Sequence, residues 1–192
     1  MGLANWLTVI RILLVPLFVS LLVYRRPGGA LAVFALAALT DMLDGYVARR
    51  SGMASRLGAF LDPLADKLLV TASFVTLTYL KALPFWITAV VITRDLLLVT
   101  GALLLHILGV RLEPRPTAAG KAATFFQVLT VLTALLARYL HLPVGPGLAM
   151  WLAAIFTVIS GLQYISQGMR VLNAAGWPER EEREHDASRL LR

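Results

Sequence analysis

Six apolar stretches account for most of this chain, each about 20 residues long, the length that an α-helix needs to cross a bilayer. Short breaks rich in Pro, Gly or basic residues separate them. The pattern predicts an all-α polytopic membrane protein with six transmembrane helices. The predicted spans are Leu7 to Tyr24, Ala30 to Val47, Leu57 to Leu80, Phe85 to Leu108, Ala118 to Leu140 and Gly147 to Val171.

Composition supports a membrane protein and excludes several other classes. The chain is 58% hydrophobic and 15% charged, with a mean hydropathy of +0.75, whereas soluble domains carry about a quarter charged residues. Its net charge of +7 comes from scattered Lys and Arg with no basic run interleaved with aromatics, so we expect contact with anionic lipid and no nucleic-acid partner. The absence of cysteine excludes disulfides, thiol catalysis and Cys-ligated metals.

The distribution of Lys and Arg predicts which loops face the cytoplasm. If both termini lie inside, the outer loops carry four of the loop cations, Arg25, Arg26, Lys81 and Arg138. The inner loops then carry the larger group, as expected for cytoplasmic loops. The inner group is Arg49, Arg50, Arg56, Arg111, Arg115, Lys121, Arg170 and the tail arginines. We therefore expect residues 1–176 to form the transmembrane domain and 177–192 a polar cytoplasmic tail. The residues before Arg11 are left open between the first span and a short interfacial helix anchored by Trp6.

Acidic residues are rare up to Leu112 and are grouped. There are five, all Asp, and four of them flank the turn between the second and third stretches, at positions 41, 44, 62 and 66. Spacings of three and four residues put Asp41 and Asp44 on one face of a helix, and Asp62 and Asp66 on one face of the next. Because carboxylates are costly in a membrane segment, their convergence in a helical hairpin predicts a functional site near the cytoplasmic surface.

Hard divalent cations are the natural partners of such a cluster. Four nearby carboxylates repel one another, and Mg²⁺ or Mn²⁺, which prefer oxygen ligands and often bridge phosphates, would remove that repulsion. Two such ions could polarise a diphosphate. The alternatives are a structural ion site and the cation path of a transporter, although the chain lacks the broken-helix pairs and symmetric halves of secondary transporters.

The small and basic residues of the same stretch have two interpretations each. Gly45, Ala48 and Gly58 would let a flat ligand approach closely, but small residues also serve helix packing in membranes. Arg49 would clamp a diphosphate, but it also fits the excess of basic residues in inner loops.

These positions resemble the signature of the CDP-alcohol phosphotransferase family, Asp-x2-Asp-Gly-x2-Ala-Arg-x8-Gly-x3-Asp-x3-Asp. Every signature residue is present, and Asn5-Trp-Leu-Thr8-Val-Ile-Arg11 is similar to the opening of the family's domain. The resemblance implies an enzyme of bacterial inner-membrane type that transfers a phospho-alcohol from a CDP-linked donor to an acceptor hydroxyl and releases CMP. Relatives often pair, so the resemblance allows a homodimer.

The resemblance also implies roles for individual residues. Asp41, Asp44 and Asp62 would hold the metal ions, and Asp66 would add a ligand and act as the general base. The residues expected to bind the CDP part are Asn5, Thr8, Asp44, Gly45, Ala48, Arg49 and Gly58. The active site would face the cytoplasm.

The acceptor is the least constrained part of the sequence-based interpretation. The chain looks like the branch that makes anionic phospholipids from CDP-diacylglycerol, and the candidate acceptor-binding residues are Arg94, Arg111, Arg115 and Lys121. Enzymes of this branch that use glycerol 3-phosphate typically carry two further cations, where this chain has Ala102 and Ala123. We therefore favour phosphatidylglycerol over glycerol 3-phosphate. The alternative interpretations are an ion pair of Arg94 with Asp95 that holds helices in register, and an interfacial anchor for Lys121.

Overall fold

The computed structural model describes the backbone of residues 3–51, 56–107, 117–142 and 145–176. Side chains are described for residues 10, 12–40, 67–101, 103–104, 117–142 and 145–170. Within these ranges the chain is all-α and contains no strand, which confirms the predicted fold class. The six helices are α1 (Leu3–Val23), α2 (Pro27–Ser51), α3 (Arg56–Tyr79), α4 (Phe85–Ile107), α5 (Ala118–Tyr139) and α6 (Gly147–Gly176), one for each predicted stretch.

The N-terminal half of the chain differs from the prediction in two details. Residues 3–10 are the first turns of α1, a helix continuous from Leu3, and not a separate short interfacial helix. Helix α2 begins at Pro27, whose fixed φ suits the first helical position, so the following glycines belong to the helix and not to a loop. At Gly28 a Cβ atom would lie 2.8 Å from Cε2 of Tyr139, so the missing side chain lets α2 approach α5.

The helices pack around a closed ring in the order α1, α3, α4, α6, α5, α2, and α3 also contacts α5 across its interior. Phe18 of α1 and Phe34 of α2 are fully buried, with ring centroids 5.8 Å apart. Apolar side chains of every helix contribute to this core, among them Leu77, Val91 and Leu135. Successive helices α2 and α3 both pack on α1, so over the described residues α1 lies between them in the ring.

Interior polar groups pair with one another between helices. Gln127 of α5 donates from Nε2 to Oγ1 of Thr157 on α6 over 3.0 Å, and both side chains are buried. The Thr78 and Thr88 hydroxyls lie 2.6 Å apart between α3 and α4. Because an unpaired polar group is costly away from water, these bonds fix how the helices face one another.

The outward faces of the helices are strongly apolar. On α6 the exposed apolar residues recur every three or four positions, at Trp151, Ile155, Val158, Leu162, Ile165 and Met169. This stripe spans about 27 Å along the helix, close to the thickness of a bilayer's hydrocarbon core. By length and hydropathy, two segments of the described chain suffice to cross a membrane, Ala118–Tyr139 and Gly147–Arg170. Membrane crossing by all six helices stays a prediction.

Candidate active site

The eight signature positions are distributed over two helices. Helix α2 carries Asp41 and Asp44 in its C-terminal half, followed by Gly45, Ala48 and Arg49, and α3 carries Gly58, Asp62 and Asp66 in its N-terminal half. Helical backbone continues through all of them, so each Asp pair is separated by about one turn. Their side chains lie outside the described residues, as do those of Asn5 and Thr8 on α1. The convergence of the four carboxylates therefore stays a prediction.

The donor set suits a hard divalent cation, since all four side chains are carboxylates and Mg²⁺ and Mn²⁺ prefer oxygen. No cluster of three or more His, Asp or Glu side chains able to hold a metal occurs in the described part of the chain.

A charged network begins one residue after Asp66. The Lys67 ammonium on α3 pairs with Oδ1 of Asp95 on α4. The same oxygen accepts a hydrogen bond from Nη1 of Arg94 over 2.8 Å. Arg94 also donates from Nη2 to Oγ of Ser160 on α6 over 3.0 Å, so the network joins α3, α4 and α6.

Arg94 lies at the centre of this network and is itself buried. Its side chain is 9% exposed, compared with 37% for Lys67 and 13% for Asp95. Its Nε is buried and has no hydrogen-bond partner among the described residues. The ion pair expected from sequence between Arg94 and Asp95 is therefore present, and the links to Lys67 and Ser160 are additions that the sequence does not reveal.

Helix α5 begins directly against the Arg94 guanidinium. Thr117 caps the helix, and its Oγ1 accepts a hydrogen bond from the Gly120 amide over 3.1 Å. A Cβ atom at Gly120 would lie 3.3 Å from Ser160 Oγ and 3.4 Å from Arg94 Nη2, so a side chain here would require Ser160 to shift by a few tenths of an ångström. The next residue, Lys121, is exposed. The positive end of the helix dipole adds to the charges of Arg94 and Lys121, which makes this end of α5 favourable for a negatively charged group.

The candidate acceptor-binding residues thus fall into two groups. Arg94 lies against the start of α5, and Lys121 is an exposed residue of the first turn of that helix. Arg111 and Arg115 lie outside the described residues, as does the side chain of Ala102. Ala123 is fully buried on α5, one turn before Gln127, so a cation at this position would face the interior of the bundle.

Removing the Asp95 charge should destabilise the bundle because Arg94 would stay buried without a counter-charge. We expect Asp95→Asn to lower the free energy of unfolding by about 2–3 kcal/mol, below the usual cost of breaking a fully buried ion pair since Asp95 retains some exposure. The measurement is denaturation of purified protein by SDS titration in mixed micelles. Lys67→Gln is the matched control and should cost under about 1 kcal/mol, because Lys67 can be solvated. Equal losses in the two variants would contradict the central role of Arg94.

Comparison with known proteins agrees with the features of the chain. The chain forms a ring of long apolar helices with an aspartate motif divided between α2 and α3. The family model described as CDP-alcohol phosphatidyltransferase matches residues 1–159. The chain belongs to the CDP-alcohol phosphatidyltransferase family, and the resemblance seen in the sequence is confirmed.

Individual relatives carry two different activity names. The chain is 37% identical over 178 residues to a probable phosphatidylglycerophosphate synthase of Mycobacterium tuberculosis, covering 88% of this chain and 82% of that protein. It is 34% identical over 193 residues to a CDP-diacylglycerol–glycerol-3-phosphate 3-phosphatidyltransferase of Bacillus subtilis, covering 91% and 98%. It is 38% identical over 160 residues to a cardiolipin synthase (CMP-forming) of Streptomyces coelicolor, covering 79% and 70%. The enzyme class follows from these matches, whereas the acceptor does not.

Proposed function

We propose that this protein is a metal-dependent phosphatidyltransferase that moves the phosphatidyl group of CDP-diacylglycerol to a hydroxyl of phosphatidylglycerol and releases CMP. The complete aspartate signature carries the reaction part of this proposal. The pairing of Arg94 with Asp95 carries the choice of acceptor.

The proposed chemistry uses the four carboxylates in two ways. Asp41, Asp44 and Asp62 would hold Mg²⁺ or Mn²⁺, with Asp66 as a further ligand, and two bound ions would neutralise the charge of the diphosphate. Asp66 takes the proton of the acceptor hydroxyl. At the same time the oxygen of that hydroxyl forms a bond to the phosphorus that carries the diacylglycerol. The bond from that phosphorus to the CMP oxygen breaks, and CMP leaves with the electron pair.

The remaining signature residues would hold the donor. Arg49 is proposed to clamp the diphosphate, since a guanidinium donates two parallel hydrogen bonds to phosphate oxygens. Gly45, Ala48 and Gly58 leave room for the nucleotide, because a larger side chain would occupy the space against the helix. Asn5 and Thr8 on α1 are proposed as polar contacts of the same nucleotide.

The acceptor proposal rests on the charge available beside α5. A dianionic acceptor such as glycerol 3-phosphate needs several cations that are free to bind it. Arg94 is already engaged by Asp95 and Ser160, and Asp95 also pairs with Lys67, so these three charged groups leave one net positive charge. Among the described residues, Lys121 adds an exposed cation on the first turn of α5. Position 123, which faces the interior, is alanine. Phosphatidylglycerol has no terminal phosphate and would place a smaller demand on this region.

Glycerol 3-phosphate is the second candidate, and one observation favours it. The similarity to the Bacillus subtilis protein, whose name specifies that acceptor, extends over 98% of that protein. With this acceptor, Arg94, Lys121 and the first amides of α5 would be the phosphate contacts, together with Arg111 and Arg115.

The acceptor is decided by measuring CMP release from purified protein in lipid–detergent micelles with CDP-diacylglycerol and Mg²⁺. We expect turnover with phosphatidylglycerol and at least about tenfold less with glycerol 3-phosphate, equivalent to the loss of one favourable charged contact. Product analysis by mass spectrometry should show cardiolipin. Turnover with glycerol 3-phosphate alone would overturn the acceptor proposal and leave the family reaction intact.

We further propose that all six helices span the bacterial inner membrane, with both termini and the active site on the cytoplasmic side. The apolar outer face of α6 and the bias of Lys and Arg among the loops support this arrangement.

A further inference from the structure

Five basic residues gather where α1, α3 and α5 end, at the opposite end of the bundle from the aspartate signature. We call this group the basic end; it consists of Arg25, Arg26, Lys81, Arg138 and His141. The three connections here, residues 24–26, 80–84 and 140–146, contain no Asp or Glu. Tyr79, the last residue of α3, follows Asp66 by 13 residues, so the two regions lie about 20 Å apart along the helix axis.

At the ends of these helices, backbone amides donate hydrogen bonds to the last helical carbonyl groups. Arg25, Lys81 and His141 have φ values of 56°, 56° and 54°, a left-handed conformation usually given to glycine at helix ends. Beyond them, the amide of Arg26 donates to the Leu21 carbonyl over 2.8 Å, and α3 and α5 end with the same pattern. Backbone amides therefore satisfy these carbonyls, and the helix ends do not require the basic side chains at the left-handed positions as caps.

Three of the five basic residues line a cavity of about 440 Å³. Its walls are Leu22, Arg25, Pro27, Leu80, Arg138 and His141. Nη1 of Arg138 donates to the Leu80 carbonyl over 3.2 Å, which holds the guanidinium in the wall. The side chains of Arg25 and His141 are exposed and donate no hydrogen bond to the described residues. The cavity thus combines a guanidinium held in place, two exposed basic side chains and an apolar wall.

Aromatic side chains place this cavity at the depth of lipid head groups. Tyr24 and Tyr79, at the ends of α1 and α3, are 78% and 79% exposed. Tyr139 is exposed at the end of α5, and the rings of Trp86 and Trp151 lie 5.1 Å apart near the starts of α4 and α6, at the same end of the bundle. Exposed Tyr and Trp concentrate at the membrane–water boundary, so the cavity opens where phosphates of the bilayer are found.

We propose that this cavity binds the phosphodiester head group of an anionic membrane phospholipid, at a site separate from the reaction centre. Arg25 and Arg138 would donate charge-assisted hydrogen bonds to the phosphate oxygens, and His141 would add a further donor. The apolar wall formed by Leu22, Pro27 and Leu80 would contact the first carbons of the glycerol and acyl chains. This combination favours a lipid over free phosphate, which has no apolar part.

Phosphatidylmethanol is a suitable probe because it is a monoanionic phosphodiester lipid without a hydroxyl that could act as acceptor. The protein is placed in phosphatidylcholine nanodiscs containing a small fraction of this lipid, with EDTA present, and retained lipid is counted by native mass spectrometry. We expect Arg25→Gln/Arg138→Gln to weaken retention by about tenfold or more. Turnover by this variant in micelles should be unchanged, because the altered residues lie far from the aspartate signature.

The matched control is Arg26→Gln/Lys81→Gln, which removes the same charge from the basic end without altering the cavity wall. It should weaken retention by less than about threefold, since only general surface attraction is lost. Equal losses in the two double variants would overturn the proposal, as would displacement of the lipid by millimolar inorganic phosphate. If Arg138→Gln prevents folding, Arg25→Gln against Lys81→Gln decides the question, with about a fivefold difference expected.

Discussion

Asp66→Asn should lower CMP release by about 10²- to 10⁴-fold, the contribution typical of a general base. The amide keeps the shape of the side chain but cannot accept the proton of the acceptor hydroxyl. The described apolar core of the bundle is formed by other side chains, such as Phe18, Phe34 and Leu135, so the substitution does not remove a core contact among them. The variant should therefore fold and retain CDP-diacylglycerol.

Two measurements distinguish lost chemistry from lost structure in this variant. CMP release is followed under saturating donor, and donor binding is measured separately by the thermal shift that CDP-diacylglycerol produces. Asp186→Asn is the matched control, since it makes the same chemical change beyond the 1–159 region that matches the family. Turnover by Asp66→Asn at the level of this control would rule out Asp66 as the base.

Chelation of divalent metal should abolish turnover without unfolding the protein. EDTA should reduce CMP release by at least about 10³-fold, because neutralising the diphosphate and the leaving phosphate contributes several kcal/mol to the transition state. Excess Mg²⁺ or Mn²⁺ should restore the rate. The melting temperature should change little, since the described core is formed by apolar packing and hydrogen bonds between helices.

The control for chelation is EDTA saturated beforehand with Mg²⁺, which has the same ionic composition but cannot remove metal from the protein. Full turnover in metal-free EDTA would contradict the assignment of the four carboxylates as ligands. Loss of turnover together with unfolding would instead mean that the carboxylates stabilise the fold through the ion.

Local sequence patterns were sufficient to predict the helices and to identify the family. A membrane helix needs an apolar stretch of fixed length, so all six helices could be predicted, and the signature depends only on spacing along two of them. The ends of helices were less certain. Pro27 and the glycines after it indicated a break between the helices, but the break occupies residues 24–26. The helix ends there because Arg25 takes a left-handed conformation, which its residue type does not favour and which the sequence therefore did not indicate.

Contacts between distant residues could not be predicted from the sequence. Lys67 and Asp95 are 28 residues apart, and Arg94 and Ser160 are 66 apart, so no local period relates them. The ring order that separates α2 from α3 by α1 is likewise set by which side chains fit between helices. Sequence alone determined the helices, the family and the aspartate motif, since these depend on local hydrophobicity and spacing. Only the tertiary structure decided that Asp95 is shared by two cations and that Arg25 and Arg138 line one cavity, because each depends on packing between separate helices.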